Sequence, residues 1–462
     1  MKKKVEFYGG MFGLFVPFLV LFIGIMWLAL TGKALPMAFW VPTLLGLLVA
    51  LILAKDTKEC AETIISGMAD EMVAIMLMAW FLAGIIAQLL KITGLIQGLI
   101  WLGVSLGVSG AFFPAITFVI GALVSTATGT AIGSVIALGP VLYPVGVALG
   151  ANGPAMIGAI VCGAYFGDNI APVSDTTIAS AYTQGTEVAN VVKSRLKYAF
   201  ISAGISIVLF IIFGGGGEVS SEGLAALGDV SPNGLIMVLV PALLIFLMFK
   251  GSNLIVALMS SGTFGIILAL VFGLMEIGQI LIIDMDAFSV SGLIVDGIMG
   301  LIDIAVFAFL LMGLVGLLDK GGLLEFIIEK SAKFTKTPRS AELTVIVIAI
   351  ILNVLTVAST IVIIMMGPLT RKMLNKHKIT PDRRANILDA TSAGVMCLIP
   401  FAFGPLLAYM FAGDSSFSII ETIPYMFHGW LLVIIMIASS ITGWGRTYMD
   451  DEEYEEELKE MN

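Results

Sequence analysis

Histidine and cysteine are nearly absent from this chain, at two and three residues in 462. Cys60, Cys162 and Cys397 stand singly, with neither metal-ligand spacing nor a disulfide pattern, and read as helix packing. Zinc chemistry and a disulfide scaffold are therefore not expected. Charge is thin as well, 12% of residues against 59% hydrophobic, far from the composition of a soluble domain. There is no excess of positive charge: the formal balance is −9, and Asp450–Glu460, with eight acids and one lysine, holds −7 of it. A like-charge block of this kind reads as a solvated, disordered tail.

In place of polar sequence there are apolar runs at 11–30, 36–54, 72–90, 198–213, 233–249, 253–275, 304–318 and 425–443. Most approach the ~20 residues that cross a bilayer as a helix. The first follows Met1-Lys-Lys-Lys4 without a small-residue cleavage site, and a second follows closely, so it reads as an uncleaved first span.

Punctuation inside these runs is duplicated. Gly139-Pro140 followed by Pro172 recurs as Gly367-Pro368 followed by Pro400, at an offset of 228. Phe81-Leu82, Leu89-Leu90 and Gly94-Leu95 recur at the same offset as Phe309-Leu310, Leu317-Leu318 and Gly322-Leu323. Paired breaks in two apolar halves point to the binding site of a secondary transporter.

The basic residues give the relative orientation, because short cytoplasmic loops carry the lysines and arginines. Shifted by 228, Lys55/Lys58 and Lys193/Arg195/Lys197 land on loops without a basic residue, around Asp284/Asp286 and Glu421-Thr-Ile-Pro424. In reverse, the clusters Lys320–Arg339 and Arg371–Arg384 map onto 92–111 and 143–156, which have none. The halves are thus expected to be inverted. Between the last two clusters, 341–370 is about 45 Å of helix at ~1.5 Å per residue, short of two crossings of ~30 Å. It must enter and return from one side, as must its counterpart 113–142 from the other.

The expected architecture is an all-α polytopic membrane protein of two inverted-topology repeats. Each repeat has five spans plus a re-entrant helical hairpin, and a broken helix lies in each half. The first repeat covers 1–213, an external Gly-rich linker 214–232, the second repeat 233–446 and an acidic cytoplasmic tail 447–462. Both termini are then cytoplasmic, and 22 of the 24 lysines and arginines lie inside.

The chemistry concentrates at the breaks. Gly163-Ala-Tyr-Phe-Gly-Asp-Asn-Ile-Ala-Pro-Val-Ser-Asp-Thr-Thr177 puts Asp168 and Asp175 at membrane depth with Asn169, Ser174, Thr176 and Thr177. A carboxylate there costs several kcal/mol without a partner and marks function. Freed carbonyls, carboxylates and hydroxyls form the hard oxygen set that suits a small cation. Capping of the half-helices is the other reading, stronger for Asp175. The first hairpin tip offers Thr128, Gly129 and Thr130; the second offers Asn353, Thr356, Ser359 and Thr360. The second break adds Asp389, Thr391 and Ser392, where Asp389 reads equally as an ion pair with neighbouring Arg383-Arg384. Asp296 and Asp303 line a cavity or are structural acids, and His377 and His428 read as interfacial.

The segment Gly163–Thr177, with Thr128-Gly-Thr130 and Gly139-Pro140, resembles the NhaC family of sodium/proton antiporters, whose signature runs Gly-Asp-x-x-x-Pro-x-Ser-Asp-Thr-Thr. The resemblance covers nearly the whole chain and implies multi-pass residence in the cell membrane. It also implies a sodium site at Thr128, Thr130, Asp168 and Asn169. Asp168 would hold sodium or a proton in turn, with Asp175 as a second ion-coupling acid. The segment Asp389-Ala-Thr-Ser-Ala-Gly394 before Pro400 is only loosely like the family's second half. The superfamily includes carriers of organic acids and amino acids, so sodium-coupled transport of a small carboxylate or amino acid is the alternative.

Phe166-Gly167-Asp168 lacks the Gly-x-Gly-Asp pattern of intramembrane aspartyl proteases, and no enzyme is expected. No cofactor is expected beyond sodium as the transported or coupling ion. Sodium, protons and membrane lipid are the expected partners, without nucleic acid, and a homodimer is compatible with the architecture.

Overall fold

The computed structural model describes residues 4–31, 33, 35–105, 110–172, 174–215, 231–250, 252–322, 326, 330, 334–413 and 417–461. Residues 216–230 of the expected linker, and Val173 at the first break, lie outside them.

The protein is predominantly helical. The first half holds α1 (Met11–Leu30), α2 (Trp40–Leu53), α3 (Thr57–Met68), α4 (Glu71–Ile92), α5 (Leu95–Ser105), α6 (Phe113–Thr128), α7 (Ala131–Ala148), α8 (Gly153–Ile170), α9 (Asp175–Gln184) and α10 (Val188–Phe213). The second holds α11 (Leu239–Phe249), α12 (Leu254–Val271), α13 (Leu293–Met299), α14 (Ile302–Gly321), α15 (Pro338–Thr356), α16 (Ser359–Asn375), α17 (Pro381–Leu398), α18 (Phe403–Met410) and α19 (Phe427–Thr442). A last helix, α20, spans Asp451–Met461. Among the described residues eight helices are long and apolar enough to cross a membrane, or ten if each of two bent pairs counts as one span.

Helix boundaries repeat at the offset of 228. Helix α8 maps onto α17 at both ends, α7 and α16 start together, and α9 and α18 start together. At both breaks a proline sets the stop: the residue before a proline is driven out of the helical region. Ala171 and Ile399 are accordingly extended, with ψ of 127° and 110°. At both hairpin tips one residue turns left-handed, Gly129 at φ 67° and Val357 at φ 53°.

Helices α8 and α17, each with the short helix after its break, form the centre. Their spans are 88% and 83% buried, against 33% for α1, α10 and α12, which border the surrounding medium. Small residues allow the close approach. A Cβ on Gly163 would sit 2.4 Å from the Phe118 carbonyl, and one on Gly167 equally close to that of Ala122, so α8 lies backbone to backbone against α6. The hairpin arms are tied to the central helices by bonds at equivalent positions. Ser125 Oγ donates to the Ala164 carbonyl at 2.6 Å, and, 228 residues on, Asn353 Nδ2 donates to Ser392 Oγ at 3.0 Å.

Several features differ from the sequence expectation. The hairpins are longer than their bounded segments, running over 113–148 and 338–375. Their arms Ala131–Ala148 and Pro338–Thr356 have the length and apolarity of spans, whereas α2 and α11 are shorter. The segment between the second and third expected spans is a helix, α3, which Asp56 starts by accepting from the Lys58 and Glu59 N–H groups at 3.0 and 3.1 Å. It packs along α14 where Gly67 and Gly316 meet, as α13 packs along α4 where Gly84 and Gly297 meet. An exposed antiparallel ribbon, Ile282–Asp284 with Ser289–Ser291, is a small departure from an all-α chain.

The acidic tail is not a disordered strand. It is helix α20, anchored by Glu457, whose Oε1 accepts from Arg371 Nε at 2.8 Å and Arg384 Nη2 at 2.5 Å. Lys378 pairs with Asp451 beside it. This ion pair holds the exposed Asp451 carboxyl below and the Lys378 ammonium above their ordinary ranges. Arg383 and Arg384 are therefore not a loop but the first turn of α17, both buried, with Arg383 forked onto Glu342 at 3.1 and 3.2 Å.

Candidate functional site

A cavity of about 130 Å³ lies where the two halves meet. Its wall is assembled in pairs separated by 228 residues: Thr130 with Ala358, Ala131 with Ser359, Ile132 with Thr360, Asp168 with Met396, and Asp175 with Phe403. Both hairpin tips and both breaks thus contribute equivalent positions. The wall is double in backbone and single in chemistry, because the two carboxylates come only from the first half. Met76, Tyr165, Thr176, Met312 and Val357 complete it.

Asp168 sits two residues before the end of α8, buried, with Oδ1 lacking a hydrogen-bond partner among the described residues. Asp175 is the first residue of α9 and open to the cavity. It makes no side-chain cap; its Oδ2 accepts a 2.6 Å hydrogen bond from Thr360 Oγ1 in the opposite half. Ser174 and Thr176 hydroxyls lie 3.0 Å apart. Thr130 caps α7 by accepting from the Gly133 N–H at 3.2 Å.

Other expected site residues surround the cavity without lining it. Thr128 Oγ1 lies 3.3 Å from Ser134 Oγ, Thr356 donates to the Leu352 carbonyl at 2.8 Å, and Asn353 and Ser392 bond each other. Gly129 forms the turn. Among the described residues the buried Thr391 hydroxyl and both buried amide atoms of Asn169 have no hydrogen-bond partner.

The sequence placed Asp389 beside Arg383-Arg384; in the fold its partner is Arg195. Arg195 Nη2 lies 2.6 Å from Asp389 Oδ2, a close ion pair in which the N–H does not aim straight at that oxygen. Both groups are fully buried. Nη1 of the same guanidinium donates to Thr177 Oγ1 at 2.9 Å and to the Asn169 carbonyl. Ser180 Oγ donates to Asp389 Oδ2 at 3.2 Å. Arg195, read from the sequence as one of a cytoplasmic loop cluster with Lys193 and Lys197, is instead buried within α10.

That signal was present in the sequence. Positions two apart on a helix lie about 200° around its axis. Lys193 and Lys197 face outward in α10, so Arg195 between them faces in.

Two larger cavities share three wall positions at the offset of 228, Met312, Val315 and Gly316 in one and Gly84, Ala87 and Gln88 in the other. One, of about 320 Å³, includes Asp70, Lys320 and Thr356 and shares Met312 with the central cavity; the other, of about 480 Å³, includes Asp296, Lys91 and Pro140. Asp303 is apart from all three, its carbonyl accepting from Trp40 Nε1 at 2.8 Å. His428 is not interfacial. It is fully buried, its Nδ1 2.8 Å from Ser202 Oγ and its ring packed on Phe166 and Phe118. His377 Nε2 meets the Thr335 carbonyl at 3.0 Å.

A family model described as Na+/H+ antiporter family matches residues 6–215 and 229–444. The arginine/ornithine antiporter ArcD of Halobacterium salinarum is 26% identical over 70% of this chain and 69% of its own length. The malate-2H+/Na+-lactate antiporter of Bacillus subtilis is 25% identical over 66% of this chain and 68% of its length. The Na+/H+ antiporter NhaC of Alkalihalophilus pseudofirmus is 24% identical over 67% of this chain and 69% of its length.

Proposed function

The chain belongs to the Na+/H+ antiporter family, and from that premise we infer that it exchanges sodium for protons across the cell membrane by alternating access. The observation that carries the assignment is the cavity shared by both hairpin tips and both breaks, with Asp168 and Asp175 as its only carboxylates among the described residues. A carboxylate that binds sodium or a proton, and is offered to each side in turn, exchanges one for the other. Asp168, buried with an unpaired oxygen, is that group. Asp175, Thr130, Thr176, Ser359 and Thr360 supply further oxygens, and Thr128, Asn169 and Ser174 stand behind them.

Inverted repeats are the architecture that gives one site two routes. The 228-residue offset of helix boundaries, the matched contacts α3 on α14 and α13 on α4, and the partly matched walls of the two larger cavities support it. The basic clusters around 338–375 favour hairpins that enter and return, with both termini cytoplasmic.

Sodium-coupled exchange of an organic solute is the second reading, favoured by the names of two relatives. The cavity argues for the ion. Its charged lining residues, Asp168 and Asp175, are both acidic, and among the described residues no cationic side chain lines it to hold the carboxylate of an organic solute. Purified protein in liposomes under imposed sodium and pH gradients tests both. Sodium-driven proton movement is expected in the wild type and should vanish in Asp168→Asn, which keeps the shape but cannot release a proton. Persistence of exchange in that variant moves the coupling elsewhere, and dependence on an added carboxylate or amino acid favours the second reading.

A further inference from the structure

We propose that Arg195 is a fixed internal counter-cation that neutralises Asp389 and thereby leaves the cavity's own pair, Asp168 and Asp175, as the carboxylates that meet a cargo cation. The inference rests on the antiport reading and specifies which charges at the site are spent before the ion arrives.

Three observations lead to it. The guanidinium is fully buried and cannot shed its charge. It is held 2.6 Å from Asp389 Oδ2, on a helix of the opposite half, while its Nη1 binds the Asn169 carbonyl beside the first break and the Thr177 hydroxyl in α9. One side chain therefore touches the central helix of each half and the short helix after the first break. Finally, Arg383 and Arg384, the basic residues nearest Asp389 in sequence, are committed to Glu342 and Glu457. Asp389 has Arg195 as its ion-pair partner and they do not compete for it.

The electrostatic consequence is specific. At alkaline pH, where an unpaired Asp389 is ionised, loss of Arg195 adds a third carboxylate that attracts sodium; without Asp389, an unbalanced guanidinium repels it. In a low-dielectric site one unit charge changes cation affinity by about tenfold or more. The two neutralisations should therefore shift sodium affinity in opposite directions, and the double neutralisation should cancel them. Loss of the shared Arg195–Asp389 contact would shift both single variants in the same direction, so opposite signs report the charge, and the Arg195 bonds to Asn169 and Thr177, lost only when Arg195 is changed, cannot be restored by a second change at Asp389.

The test uses full-length protein in liposomes, with the apparent sodium KM and maximal rate read separately, and sodium-dependent thermal stabilisation of the purified protein as a readout independent of transport. Arg195→Gln is expected to lower the sodium KM about tenfold and Asp389→Asn to raise it about tenfold. The double variant should bring it back to within threefold of wild type. Arg195→Lys, which keeps the charge and loses the fork, should hold the KM within threefold while lowering the maximal rate. Shifts of the same sign in both single variants, or a double variant as displaced as either, overturn the proposal. Should a single variant fail to accumulate in the membrane, the double variant decides: recovered accumulation and exchange support the charge balance, and no recovery overturns it. Absence of sodium/proton exchange in the wild type would instead overturn the antiport reading, before any variant is compared.

Discussion

Thr130 does two jobs with one oxygen. Its hydroxyl caps α7 through the Gly133 N–H and also faces the cavity that holds Asp168. Removing it should be felt in both roles. Thr130→Val is expected to cost about 1 kcal/mol of stability, the usual worth of such a cap, and to raise the sodium KM as well. Thr130→Ser should spare both. Thermal unfolding of the purified variants, run beside the exchange assay, separates the two: a stability loss with unchanged sodium dependence would leave Thr130 a cap alone. Asp175 differs from it, because its side chain bonds Thr360 across the halves and caps nothing. Its neutralisation is a question about the ion and the interface between halves, rather than about helix α9.

At the scale of elements, the two hairpin tips solve one turn in different ways. The first puts glycine in the left-handed conformation; the second forces Val357, β-branched and buried, into the same region. A left-handed β-branched residue carries roughly 1–2 kcal/mol of strain. Gly129→Val should impose that cost on the first tip, visible as a lowered thermal midpoint together with weakened exchange, since Thr130 follows the turn. An unaffected midpoint would mean that the tip relaxes. The breaks at Pro172 and Pro400 were legible in the sequence because proline acts on the backbone locally, and the hairpins because 341–370, bounded by basic clusters, is too short for two crossings. The inward turn of Arg195, the burial of His428 and the helix α3 were not read from it. Each depends on which face of a helix meets another helix, and a cluster such as Lys193/Arg195/Lys197 looks like a solvated loop until its periodicity is applied. The candidate site was legible to the same degree: Asp168, Asp175 and both tips were singled out and do line one cavity, while the partner of Asp389 was assigned by nearness along the chain.

For the whole molecule, helix α20 adds a tether that composition alone concealed. Glu457 holds Arg371 of α16 and Arg384 of α17 on a single oxygen, and Arg384 also donates to the Gln184 carbonyl at the end of α9. Removing one member of a buried pair typically costs about 3–5 kcal/mol. Glu457→Gln should therefore lower the thermal midpoint and expose α20 to added protease. Arg384→Gln combined with Glu457→Gln should recover part of the loss, and an intact, protease-resistant tail in Glu457→Gln would refute the tether. The exposed pair Lys378–Asp451 works in the same direction. Because Asp451 titrates below its ordinary value in the folded state, its contribution is present above pH ~4 and disappears as pH falls through the lowered value.

The paired wall of the central cavity carries one more consequence, which concerns how far the two halves can resemble each other. Two identical copies would bring four carboxylates into about 130 Å³, each raising the cost of ionising the next. Met396 and Phe403 stand where the second pair of acids would be. Divergence between the copies is therefore required at these two positions even if the scaffold around them stays matched. Restoring the symmetry with Met396→Asp and Phe403→Asp would set four acids against one another in that space.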